Sequence, residues 1–68
     1  RRMKITVNGK EHACADTALV SDLLAELELV GRRVAVERNG EIVPRSLHTS
    51  VMLQPGDQIE IVVAVGGG

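Results

Sequence analysis

Met3–Cys14 reads MKITVNGKEHAC. Two short β-favouring runs flank Asn8-Gly9, the dipeptide preferred in a two-residue type I′ hairpin, where both turn residues need positive φ. A two-residue loop fixes the register: Val7 opposite Lys10, Ile5 opposite His12, Met3 opposite Cys14. Directly opposed residues share a face of a sheet. Ile5 and Val7 therefore point toward the core, with His12 and Cys14 on the same side and Thr6, Glu11 and Ala13 outward.

Working outward, ADTALVSDLLAELELVG (residues 15–31) carries the only helical period. Val20, Leu23, Leu24 and Leu27 fall at i, i+3, i+4 and i+7 and form one apolar stripe. Asp16 and Thr17 are candidate caps, and Asp22 suits the first turn of a helix starting near Leu19. Gly31 is the expected stop, with Arg32 and Arg33 near the negative end of the helix dipole. RRVAVERNGEIVPRS (residues 32–46) then repeats the hairpin signal around Asn39-Gly40. Val34 and Val36 alternate with Ala35 and Glu37, and Pro44 ends the pairing because it has no N–H to donate. SLHTSVMLQPGD (residues 46–57) reads as a loop with a short extended piece around Val51–Leu53 and a turn at Pro55-Gly56-Asp57. QIEIVVAV (residues 58–65) is the last strand. Ile59, Ile61, Val63 and Val65 share its inner face, while Glu60, Val62 and Ala64 make an outer face that turns apolar toward the C-terminus.

The order is hairpin, helix, then three or four strands. One helix covering one face of a mostly antiparallel sheet is an α+β fold. The 68 residues suffice for one domain, and a chain of this size buries only about 60 % of its unfolded surface. Met3 reads as the natural first residue of a domain spanning 3–68, with Arg1 and Arg2 as an appended leftover outside the fold.

Net charge is −1, with no Phe, Trp or Tyr. There is neither a basic stripe nor an aromatic platform, which argues against nucleic acid as a partner. The longest apolar run is far short of a membrane span. Cys14 is the single cysteine, so no internal disulfide forms and a reducing, cytoplasmic setting is expected. Cys14 and His12 lie on one strand face, but a small buried strand residue is the better reading of Cys14. His12, His48 and Cys14 lack zinc-site spacing, so no metal site is expected. Glu26, Glu28 and Glu60 read as solvated carboxylates, and Arg38 and Arg45 as solvated charge.

The last three residues, Gly66, Gly67 and Gly68, follow a β-branched strand directly. Three glycines cannot help a fold, so either they are debris or the bare end is itself the working part. An α-carboxylate is a weak electrophile until it is activated as an acyl-adenylate. The chain has no phosphate-cradling loop with a lysine, so ATP and Mg²⁺ belong to a partner. Side-chain-free residues thread a channel where any Cβ would clash, and three extended residues reach roughly 10 Å.

VNGKE (7–11), VAVERNGEIVPR (34–45) and LQPGDQIEIVVAVGGG (53–68) together resemble the ubiquitin-like β-grasp sulfur carriers, and among them the thiamine-biosynthesis sulfur carriers, the ThiS family. The resemblance covers Met3 to Gly68. It implies a β-grasp with a mixed four- to five-stranded sheet, one helix on one face and a flexible glycine tail. It further implies that the chain is a carrier, not an enzyme. It implies too that a ThiF-like adenylyltransferase would activate Gly68, that sulfur originating in a cysteine desulfurase would make the thiocarboxylate, and that thiazole synthase (ThiG) would take the sulfur into the thiazole ring. Gly66 and Gly67 would give access, and Val62 and Ala64 would dock the partners. Three alternatives stay open: the molybdopterin-synthase small subunit (MoaD-like), a ubiquitin-like protein modifier, and an interaction module with an inert tail. The first usually has Pro-Pro-Val before its glycines, whereas this chain has Val63-Ala64-Val65.

Overall fold

The computed structural model describes residues 1–65. Its elements are β1 (Arg2–Val7), β2 (Lys10–Ala15), α1 (Val20–Glu26), β3 (Val34–Arg38), β4 (Glu41–Val43), a 3₁₀ turn (Arg45–Leu47) and β5 (Gln58–Val63). They build a five-stranded sheet in the order β2-β1-β5-β3-β4. The two hairpins and the β3–β5 pair are antiparallel, whereas β1 and β5 run parallel. The sheet is thus mixed, with the last strand at its centre.

Both Asn-Gly turns form as expected. Asn8 and Gly9 take φ of 50° and 83°, and Asn39 and Gly40 take 52° and 86°, the left-handed pair that a type I′ turn demands. The register of the first hairpin is the expected one, with Val7↔Lys10, Ile5↔His12 and Met3↔Cys14. Pairing begins before Met3: Arg2 lies opposite Ala15, and the Arg1 carbonyl accepts from Asp16 N at 3.0 Å. The two arginines therefore take part in the first hairpin, although the sequence reading set them aside.

Helix α1 lays Val20, Leu23 and Leu24 into the core, against Ile5, Val36 and Ile59 of the sheet. Its ends differ from expectation. Leu19 is the N-cap residue, and the Asp22 carboxylate accepts from Leu19 N at 2.8 Å, so neither Asp16 nor Thr17 caps it. At the other end the helix stops at Glu26, before Gly31. Glu28 takes a φ of 59°, while Glu28 N donates to the Ala25 carbonyl at 3.0 Å and Leu29 N to Leu24 at 2.8 Å. These two bonds are a Schellman motif with a non-glycine at its left-handed position.

The extended piece at Val51–Leu53 packs against the entrance of the helix. Val20 N donates to Val51 O at 3.0 Å and Leu53 N to Ala18 O at 2.9 Å. The preceding loop is partly ordered as the 3₁₀ turn that follows Pro44. His48 is buried beneath it and donates from Nε2 to the Val43 carbonyl at 3.1 Å. Among the described residues, no helix is long and apolar enough to cross a membrane.

Candidate functional site: the exit of the last strand

The site begins with the pleat of β5. Ile59 and Ile61 are buried, while Glu60, Val62 and Ala64 are exposed, as period-two alternation requires. Val63 is half-buried, and Val65, expected on the inner face, is 89 % exposed. The strand has ended at Val63, before Val65 reaches the helix. Val62 and Ala64, the proposed docking pair, thus lie open at the C-terminal end of the central strand. Gly66, Gly67 and Gly68, the candidate access and modification residues, lie outside the described residues.

Register places neighbours beside Val62. Ala35 lies opposite it on β3, Glu37 opposite Glu60, and Ile42 of β4 opposite Glu37. Ile42 is 62 % exposed and Val62 66 %. The outer face therefore joins three apolar side chains, Ala35, Ile42 and Val62, to two directly opposed carboxylates. Like charges facing each other across strands are unfavourable in isolation, so a cationic partner surface would relieve that face.

Two side-chain clamps hold β5, and the sequence reading missed both. At its start, the buried Asp57 carboxylate accepts from Arg38 Nε at 2.9 Å, Asn39 Nδ2 at 3.0 Å and Gln54 N at 2.8 Å. Burial alone would raise the Asp57 carboxyl, but the donors from Asn39, Gln54 and Arg38 outweigh it and hold the group below its ordinary range. Arg38 is consequently a structural ion-pair partner, not solvated charge. Further along, the Asn8 side-chain amide bonds the backbone of Ile61 at 2.7 and 3.1 Å. The only available signal was the doubled Asn-Gly, which the turn itself already explained.

The remaining candidates fall elsewhere. Cys14 is buried, and burial, followed by the nearby Glu26 carboxylate, pushes its thiol up. That disfavours the thiolate a nucleophile needs. His12 bonds Glu26 at 2.9 Å, tying β2 to α1, so Glu26 is paired as well as solvated. Two open depressions of about 280 and 220 Å³ flank β4 and the end of α1, and neither is lined by Val62, Ala64 or Val65. Hence the structure brings an exposed apolar face to the exit of the last strand.

Known proteins share this fold. A family model described as the ThiS family matches residues 5–68. The sulfur carrier protein ThiS of Bacillus subtilis is 43 % identical over 65 residues, covering 94 % of this chain and 98 % of that protein. A thiazole synthase of Paramagnetospirillum magneticum is 47 % identical over 66 residues, covering 97 % of this chain and 20 % of that protein. The chain thus spans a fifth of the length of the thiazole synthases it matches. The crystal structure of a thiamine biosynthesis protein (ThiS) from Geobacter metallireducens superposes with a TM-score of 0.81 at 35 % identity, covering 97 % of this chain and 100 % of that one.

Proposed function

The chain belongs to the ThiS family, and from that membership we propose that it is a sulfur carrier in thiamine biosynthesis. The observation that carries the reading is a family match running through Gly68, joined to a central strand that ends beside an open apolar face.

The Gly68 carboxylate attacks the α-phosphorus of ATP on a ThiF-like adenylyltransferase. The bond from that phosphorus to the bridging oxygen breaks, pyrophosphate leaves and an acyl-adenylate forms. Mg²⁺ on the enzyme neutralises the phosphates. Sulfur at the oxidation level of sulfide, drawn ultimately from a cysteine desulfurase, then attacks the acyl carbon. The carbon–sulfur bond forms, AMP departs and a thiocarboxylate remains with no net redox change. Thiazole synthase takes that sulfur. The chain is a co-substrate of these enzymes and binds neither ATP nor metal itself. Gly66 and Gly67 let the end enter their sites, and the face of Ala35, Ile42 and Val62 with Glu37 and Glu60 docks on an apolar partner surface rimmed by cations.

Removal of Gly68 tests the chemistry. The full chain releases pyrophosphate from ATP·Mg²⁺ on the activating enzyme, and the chain lacking Gly68 releases none while keeping its melting temperature. Undiminished pyrophosphate release from the shortened chain would refute the assignment.

A further inference from the structure

We propose that Asn8 is a positioning residue for the end of β5: its side-chain amide is the last rung between β1 and β5 and sets how far the final strand is held on its β1 flank. The inference rests on the carrier reading and goes beyond it.

Main-chain pairing between β1 and β5 covers only Thr6↔Gln58 and Val7↔Ile59, with Asn8 N donating to Ile59 O at 2.8 Å. The chain then turns away through Asn8-Gly9. On the opposite flank, β3 accompanies β5 farther. Asn39 N donates to Gln58 O at 2.8 Å and Ala64 N to Arg33 O at 2.9 Å. Residues 58 and 64 therefore face β3, and alternation turns the backbone groups of Ile59, Ile61 and Val63 to the β1 side.

Ile61 has no strand residue on that side. Instead Ile61 N donates to Asn8 Oδ1 at 2.7 Å, and Asn8 Nδ2 donates to Ile61 O at 3.1 Å. A primary amide presents the same donor and acceptor as a peptide unit, so it stands in for the missing residue. Past Ile61, among the described residues, nothing holds Val63 on that flank. Beyond Ile61 the strand is held from the β3 side alone, through Ala35↔Val62, Val34↔Val63 and the bond from Ala64 N to Arg33 O.

The position demands asparagine for two reasons at once. Its φ of 50° lies in the left-handed region, which Asn tolerates better than most side chains. Its side chain must both donate and accept. Aspartate would set a carboxylate oxygen against the Ile61 carbonyl. Glycine would keep the turn and lose both bonds. Without the rung, the β1 flank of the strand is unpaired from Ile61 onward and β3 alone holds Ile61 to Ala64. A longer stretch held on one flank only must then be ordered each time an enzyme binds the end.

The test compares Asn8→Gly and Asn8→Asp with the parent chain at a temperature where all three are folded. Two readouts are taken: amide hydrogen exchange, and kinetics of thiocarboxylation with the activating enzyme, ATP·Mg²⁺ and sulfide. We expect exchange at Ile61 to accelerate at least about tenfold in Asn8→Gly, by more than the loss of global stability accelerates Leu23, the scale of one or two lost hydrogen bonds. KM for the carrier should rise by a similar factor with kcat unchanged, because the bound enzyme re-orders the strand. Asn8→Asp, which keeps the acceptor, should fall between. Unchanged Ile61 exchange overturns the rung, and accelerated exchange with unchanged KM overturns its role in positioning. If the parent chain itself is not modified, the carrier reading and the positioning role fail together, while exchange still decides the rung.

Discussion

Glu28 holds a left-handed backbone, φ 59°, at the end of α1, where the Schellman motif favours glycine. The conformation costs an L-residue roughly 1–2 kcal/mol, part of which glycine gives back through its freer unfolded chain. Glu28→Gly is therefore expected to stabilise the fold by about 0.5–1 kcal/mol, read as a higher urea midpoint at constant slope. Asp57 lies at the other extreme. It is buried, with three donors and a depressed carboxyl. A carboxyl lowered in the folded state adds stability that is full above its unfolded value, about 3.9, and is lost as pH falls through the folded value. The acid limb of the stability curve should thus steepen below about pH 4. Asp57→Asn should flatten that limb and cost about 1–3 kcal/mol at pH 7, because donors from Arg38 and Gln54 lose their charged acceptor. Chemical denaturation at pH 7 and pH 3 checks both statements.

The two faces of β5 carry different work. Ile59 is fully buried beneath α1, so Ile59→Ala should cost about 2–5 kcal/mol. Val62 is exposed on the opposite face, so Val62→Lys should stay within about 0.5 kcal/mol in stability while raising KM for the activating enzyme. Calorimetry and steady-state kinetics on the two variants separate the faces. An unchanged KM for the Val62 variant would remove this face from docking. At this scale much of the architecture was legible in the sequence. Asn-Gly turns fix hairpin registers locally, and the stripe Val20, Leu23, Leu24 locates the helix. The parallel β1–β5 pair was not legible, since it joins residues some fifty positions apart without any local signal. The end of α1 was misplaced because Gly31 is the better local stop and nothing in the sequence around Glu28 announces its left-handed backbone. The Asn8 clamp was hidden for the same reason as the parallel pair: its target lies 53 residues away.

For the molecule as a whole, the sheet ends where β5 does, at Val63. Everything up to Val63 makes a scaffold whose central strand is held by β3, by Asp57 at its start and by Asn8 near its end. On the proposed carrier reading, what that scaffold offers a partner is the outer face and the C-terminal glycines. The candidate site rests on sequence chemistry, three side-chain-free residues after a β-branched strand, and Gly66, Gly67 and Gly68 lie outside the described residues. The acidic pair Glu37 and Glu60 beside Val62 was not legible, because opposition across strands emerges only with register. The most direct test is the intact mass of the chain after incubation with a ThiF-like enzyme, ATP·Mg²⁺ and sulfide. The account predicts a gain equal to exchanging one oxygen for sulfur, located at Gly68. An unchanged mass, with the same enzyme preparation active on an authentic carrier, would contradict it.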